Sequence, residues 1–238
     1  MKKFAVFDID GTLIRWQLYH AVANELLKQG TNIRLYNDIR VARMKWKQRE
    51  HPLSFRDYEH ALIAAYETTL EDLTASDFDR AAEAAVNEYK DQVYAYTREK
   101  ISELKSQGYT LLAISGSQIE LVQAIADYYG FDDCLGTVYK RAGNRFTGEK
   151  IIGSADKKKA LLQLVKKYDL SFSSSVAVGD SESDIPMLEL VEQPIVFNPT
   201  RKLFEHAQSA GWQVVIERKN MCYKLKAKNG SYVLAETS

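Results

Sequence analysis

The stretch Phe4-Ala5-Val6-Phe7-Asp8-Ile9-Asp10-Gly11-Thr12-Leu13 decides how the rest of the chain is read. Four consecutive apolar residues form a short run of the kind buried on both faces of a parallel sheet. Two carboxylates at i and i+2 come directly after it, where such a strand leaves its sheet. In open α/β sheets that carboxyl edge is where ligands bind. Acids this close repel one another, so they call for a cation or a shared proton. Gly11 permits a tight turn and a close approach to an anion. A calcium loop, counted from Asp8, would need glycine at its sixth position, where Leu13 stands instead. A plain polar turn is the simpler alternative.

Beyond this motif, glycine placement organises the chain. Residues 31–107 contain no glycine and one proline, Pro52, and are rich in Ala, Leu, Glu, Lys and Arg. Such a stretch reads as helices, near 16–29, 35–49, 54–68 and 77–96, with Ser54 and Ser76 as N-caps. Ala82, Ala85, Val86, Tyr89 and Val93 mark one face of the last. Elsewhere short apolar runs alternate with amphipathic segments. Strands are expected at Phe4–Phe7, Tyr109–Ile114, 134–139, Ser175–Val178, Pro194–Phe197 and Trp212–Ile216. Helices are expected near 118–129, 157–168, 184–191 and 200–210. That alternation implies a parallel sheet covered on both sides. The expected fold is an α/β core, 1–14 and 101–238, with a helical insert over 15–100. In the tail Met221–Ala235, Lys-Asn-Gly-Ser between alternating runs signals a hairpin.

Three more strand ends carry polar chemistry. Tyr109–Ile114 runs into Ser115-Gly116-Ser117, a hydroxyl and backbone N–H groups that can hold a phosphate oxygen; a plain helix start is the alternative. Lys157, beside Lys158 and Lys159, opens a helix and suits a phosphate or a carboxylate, though such lysines are commonly solvated. Val176-Ala177-Val178-Gly179 ends in Asp180, with Asp184 four residues on. Carboxylate oxygens there suit magnesium, and Ser181 with Asp184 also has capping-box spacing.

Together these residues resemble the haloacid dehalogenase-like superfamily, and the insert position resembles its phosphoserine-phosphatase-like subgroup. Lys157 lies 23 residues before Asp180, the subgroup's spacing, which selects it over its neighbours. The segment Thr137–Gly153 is similar to the strand pair that precedes that lysine. The resemblance implies a Rossmann-like core with a helical cap closing over the site. It implies an aspartyl phosphate formed on Asp8 and general acid–base work by Asp10. Ser115, Gly116 and Lys157 would bind phosphoryl oxygens. Mg2+ would sit among Asp8, the backbone carbonyl of Asp10 and Asp180, with Asp184 in the inner or outer shell. An acid at position 10 sets the chain apart from transport ATPases sharing the fold, which have threonine there. The implied reaction is hydrolysis of a small phosphorylated metabolite, or its transfer to an alcohol acceptor. A receiver-like phosphoacceptor is disfavoured, since receivers are about half this length and lack the insert. The subgroup places a substrate-binding glutamate at position 17; Gln17 stands here, which argues against phosphoserine. Trp16, Tyr19 and His20 could also face the substrate.

Composition bounds the partners. With 32 basic and 32 acidic residues among 238, the net charge is zero, so nothing draws the chain to nucleic acid or an anionic membrane. The cluster Arg34, Arg40, Arg43, Lys45, Lys47 and Arg49 reads as a solvated helix face. Two cysteines fit a reducing compartment. No apolar run reaches the roughly 18 residues of a membrane span, so the expectation is a soluble, cytoplasmic protein.

Overall fold

The computed structural model describes residues 2–30, 33–228 and 230–237; of residues 33–36 and 38 it describes only the backbone. The elements, in order, are β1 (Phe4–Phe7), α1 (Leu18–Lys28), α2 (Ile33–Gln48), α3 (Ser54–Asp72), α4 (Ala75–Tyr89), α5 (Ala95–Ser106), β2 (Thr110–Gln118), α6 (Ile119–Tyr129), β3 (Asp133–Ala142) and β4 (Arg145–Ile152). Then come α7 (Lys157–Tyr168), β5 (Val176–Gly179), a 3-10 turn (Glu182–Asp184), α8 (Ile185–Leu188), β6 (Gln193–Phe197), α9 (Arg201–Ala210), β7 (Gln213–Arg218), β8 (Met221–Lys228) and β9 (Ser231–Thr237). No helix among the described residues is long and apolar enough to cross a membrane.

Two compact units result, one of Met1–Arg15, Lys90–Thr137 and Ile152–Ser238, the other of Trp16–Tyr89 and Val138–Ile151. In the first, strands are ordered β3-β2-β1-β5-β6-β7-β8-β9. Pairing is parallel from β3 through β7 and antiparallel through β8 and β9. The α/β class and the terminal hairpin match the expectation; Asn229, part of the sequence signal for that hairpin, lies outside the described residues. One face of the sheet presents Phe4, Val6, Leu112, Ile114, Ala177, Val196 and Val214. They pack with Leu161 and Leu164 of α7 and Leu203 of α9. The alternate residues Ala5, Phe7, Leu111, Ala113 and Val178 are equally buried. Burial of both faces is why the central strands read as unbroken apolar runs.

The second unit holds α1–α4 with the outer parts of β3 and β4. Leu18, Val22, Leu26, Leu62, Tyr66 and Phe78 fill its interior. Phe78 packs edge-on against Phe146 of β4, and Arg141 of β3 reaches Asp79 at 2.7 and 2.9 Å. The insert expected over 15–100 is therefore drawn differently: α5 belongs with the sheet, and the hairpin 138–151 with the helices.

One expected helix divides in two. The helix predicted over 77–96 stops at Tyr89, and Val93 pairs instead with Ile14. The N–H of Arg15 donates to the Gln92 carbonyl at 3.0 Å, and that of Tyr94 to Leu13 at 3.0 Å. A ladder between chain segments far apart in sequence takes the backbone groups that a continuing helix would use. The caps differ too. Thr74, not Ser76, caps α4 by accepting the Asp77 N–H at 3.1 Å, and Ser54 lies inside α3 after an uncapped Leu53. The expected helix 184–191 is reduced to the 3-10 turn and the single turn of α8.

The next helix, α5, has no local side-chain cap. Its first N–H groups are satisfied by Glu217 of β7, which accepts from Ala95 at 3.2 Å and Tyr96 at 2.9 Å. Glu217 also pairs with Arg15 at 2.8 Å, its side chain only 4% exposed. Because Glu217→Ala orphans those donors, it is expected to destabilise the protein by about 1–3 kcal/mol, measured by urea denaturation. A loss no larger than that of a surface glutamate would contradict this account.

Candidate active site

The site grows from the ends of β1, β2 and β5 in the first unit. Beyond β1 the chain makes one tight turn. The N–H groups of Leu13 and Ile14 both donate to the Ile9 carbonyl at 2.9 Å. Gly11 takes φ +80°, and a Cβ there would collide with the Asp180 carboxylate. Only glycine lets the two acidic strand ends come this close.

Asp8 is buried, 5% exposed. One of its oxygens accepts from Lys157 Nζ at 2.7 Å, the other from Thr12 Oγ1 at 3.2 Å. Thr12 Oγ1 also lies 3.4 Å from Asp180 Oδ1. Lys157 is buried at the first turn of α7, while Lys158 and Lys159 are exposed. Its Nζ bridges Asp8 and Asp184. The other oxygen of Asp184 accepts from the N–H groups of Asp180 and Ser181, each at 3.0 Å, and from Ser181 Oγ at 3.2 Å. The capping box expected at Ser181 and Asp184 is therefore present. Ser115 Oγ donates to Asp10 Oδ2 at 2.7 Å. The Gly116 carbonyl accepts from Thr137 Oγ1 at 2.7 Å.

Of the core residues expected from sequence, Asp8, Lys157 and Asp184 are joined by hydrogen bonds, with the Asp180 N–H on Asp184, and Ser115 is joined to Asp10, with Gly116 next in the chain. Two contributors are hydroxyls not singled out beforehand, Thr12 and Thr137. Thr12 lies inside the first motif, but only its burial between two carboxylates distinguishes it. The residues expected after the first motif have partners within the second unit. Gln17 donates to Glu59 within the second unit. Tyr19 is buried with its hydroxyl 3.1 Å from that of Tyr139. His20 packs against Tyr58 and Trp46. Burial and the Arg43 charge hold His20 down to about 4, so it is a neutral packing residue. Trp16 is exposed, its ring roughly perpendicular to that of Tyr89 at 6.4 Å between centroids. Of the basic cluster, Arg40, Lys45, Lys47 and Arg49 are exposed; the side chain of Arg34 lies outside the described residues.

Charge in the site is out of balance. Burial pushes Asp8 up to about 7 against the pull of Lys157, with Asp184 and Asp10 adding to the rise. Burial, then the charges of Asp8 and Asp184, raise Asp180 well above the usual carboxylate range. Burial works against the Lys157 charge, but Asp184 and Asp8 outweigh it and hold the ammonium above the ordinary lysine range. Oxygens of Asp8, Asp180 and Asp184 lie within 4.8 Å of one another. Hard oxygen donors clustered with a deficit of positive charge fit Mg2+, which takes few protein ligands and keeps several waters.

The chain matches the haloacid dehalogenase-like hydrolases over residues 5–189. It belongs to that family. Its haloacid dehalogenase-like core is shared with a solved phospho-aspartyl intermediate analogue of phosphoserine phosphatase, at TM-score 0.61 and 21% identity. That match covers 92% of this chain and 94% of the other. A histidinol-phosphatase from Neisseria meningitidis serogroup C (strain 8013) is 24% identical over 232 residues, covering 90% of this chain and 99% of the relative. Phosphoserine phosphatase SerB1 from Mycobacterium tuberculosis (strain ATCC 25618 / H37Rv) is 30% identical over 127 residues, 52% of this chain and 41% of the relative. This haloacid dehalogenase-like chain thus spans about two-fifths of the length of SerB1 and of the similar hydrolases that match beside it.

A carboxylate whose folded pKa is raised contributes stability at low pH and loses it as pH rises through that value. The chelated protein is therefore expected to lose thermal stability between about pH 4 and pH 8. Mg2+ should restore it, increasingly as pH rises through about 7, because binding displaces a proton from Asp8. Melting curves with EDTA or Mg2+ across that range test this; a metal effect independent of pH would contradict it.

Proposed function

We propose that the chain hydrolyses phosphomonoesters of small metabolites through an aspartyl phosphate on Asp8. The observation that carries this reading is the pairing of a buried Asp8 with Lys157 beside a second acid, Asp10, that is held by Ser115. The names of the relatives, phosphoserine phosphatase and histidinol-phosphatase, support the same class.

In this reading Asp8 attacks phosphorus while Lys157 carries part of the charge on the phosphoryl oxygens. Lys157 also keeps Asp8 turned so that one carboxylate oxygen faces the incoming ester. Asp10 protonates the departing alkoxide. It then takes a proton from the water that cleaves the acyl phosphate, a role worth about 10²–10⁴ in rate. The Ser115 hydroxyl, whose one proton lies on Asp10 in the unliganded site, turns that proton to a phosphoryl oxygen when the ester binds, and Gly116 holds another. Asp8, the Asp10 carbonyl and Asp180 would hold Mg2+, which offsets the charge that accumulates as phosphorus is attacked. Both oxygens of Asp184 are engaged by Lys157, Ser181 and the Asp180 backbone. We therefore assign Asp184 to orienting these groups from the outer shell.

The second unit is the part we propose to select the alcohol, as the cap of the fold. Gln17 and its partner Glu59 lie in this unit. A neutral amide at position 17 offers no net attraction to an ammonium, so phosphoserine is not expected to be the preferred ester.

Asp8→Asn is expected to abolish Mg2+-dependent hydrolysis of p-nitrophenyl phosphate, lowering kcat by at least about 10³, and to prevent acid-stable phosphate labelling of the protein. Phosphate release and mass spectrometry of the quenched enzyme measure both. Turnover near the wild-type rate in Asp8→Asn would end the proposal.

A further inference from the structure

The hydroxyl of Thr137 lies outside the four motifs, yet it ends on the backbone of Ser115–Ser117, the irregular end of β2 that loops out of register. Thr137 is 3% exposed, and its Oγ1 donates to the Gly116 carbonyl at 2.7 Å. The peptide that carries this carbonyl is the one that presents the Ser117 N–H. In a planar trans peptide those two groups point in opposite directions, so fixing one aims the other. The Ser117 N–H donates to Ser115 Oγ at 3.0 Å. With that lone pair occupied, the Ser115 hydroxyl directs its own proton to Asp10 Oδ2 at 2.7 Å. Thr137, Gly116, Ser115 and Asp10 thus form one directed chain.

The surroundings brace that chain. Strands β2 and β3 pair in parallel up to Ile114, and the register breaks before resuming at Gln118 opposite Thr137. Ser115, Gly116 and Ser117 are the residues of the break, so no regular ladder holds them. In its place, Gly136 lies so near the loop that a Cβ would sit 2.8 Å from the Ser117 carbonyl oxygen and 3.0 Å from Ile119 Cα. Gly153 in turn donates its N–H to the Gly136 carbonyl at 3.2 Å. A bare backbone at 136 brings β3 close enough for the next residue to reach the loop.

We propose that Thr137 is a positioning residue that sets the orientation of Ser115 and, through it, of Asp10. This rests on the reading of Ser115 as a phosphate ligand and Asp10 as the proton donor. Thr137 does not touch the substrate. Its hydroxyl governs the angle at which the two groups that do so are presented. A misplacement of such groups by about 1 Å can cost on the order of 10²-fold in rate, so loss of one orienting bond is expected to cost about tenfold. The loss falls unevenly. Esters with a poor leaving group need the proton from Asp10, whereas p-nitrophenolate leaves with little help.

The test compares wild type, Thr137→Val, Thr137→Ala and Thr137→Ser, all in Mg2+. Thr137→Ala removes the hydroxyl without adding a methyl against the carbonyl, and keeps the comparison open should Thr137→Val not fold. Calorimetric titration with inorganic phosphate reads Ser115 independently of turnover. Its Kd is expected to rise about tenfold in the Val and Ala variants and to return to near wild type in Thr137→Ser. The kcat/KM for β-glycerophosphate should fall about tenfold, and that for p-nitrophenyl phosphate less than threefold. An unchanged phosphate Kd in both variants, or equal losses on both esters, overturns the inference. A wild-type protein that hydrolyses neither ester overturns the proposed function instead, and the phosphate titration then still decides the role of Thr137.

Discussion

A single ammonium group sits where the sheet's carboxyl edge concentrates negative charge, and the site is built around it. Lys157 is buried at the first turn of α7, a place where both desolvation and the helix dipole oppose a positive charge. It persists because Asp8 and Asp184 meet it from two sides. Removing one partner of such a buried pair typically costs about 3–5 kcal/mol, since the other is left uncompensated. The same contact ties the ends of β1 and β5 to α7, so the geometry of the site and the packing of the core are one arrangement. Four carboxylates still outnumber one lysine, and that residue of negative charge is what a divalent cation would satisfy.

The remaining polar groups are held by second partners that keep them from wandering. Asp184 is tied by the backbone just past β5, Ser115 by the Ser117 N–H, and Asp8 by Thr12. Each such bond removes a rotamer that the group would otherwise sample, and pre-organisation of this kind is how phosphoryl transfer is accelerated. Glu217 acts on a larger element: a carboxylate from β7 satisfies the start of α5 and holds Arg15 beside the paired segments 13–15 and 92–94.

Much of the site was legible because its chemistry is local. A buried strand ending in two acids, a glycine and a hydroxyl is a pattern within ten residues, and Asp180 with Asp184 repeats it. What could not be read were partners supplied from far along the chain. Val93 fits a helical face as well as any residue before it, and only its pairing with Ile14 ends the helix. Thr74 outcompetes Ser76 as a cap because of where the chain enters α4. Tyr19 and His20 lie close enough to the first motif to suggest contact with a substrate, yet both are consumed in packing the second unit.

The order of apolar runs, the glycine-free insert and the acids at strand ends come from residue type and spacing, because burial and backbone sterics act over a few residues. Those features pointed to the α/β class and put Asp8, Asp10, Ser115 and Asp180 at strand ends, while the choice of Lys157 among three lysines came from the family resemblance. Only the tertiary structure decided that Lys157 rather than its neighbours is buried, that the hairpin 138–151 belongs with the helices, and that Thr12, Thr137 and Glu217 are structural partners of the site and its supports. Those outcomes depend on which unsatisfied donors and charges come within about 3 Å, a distance set by the folding of the whole chain and invisible in any short window of it.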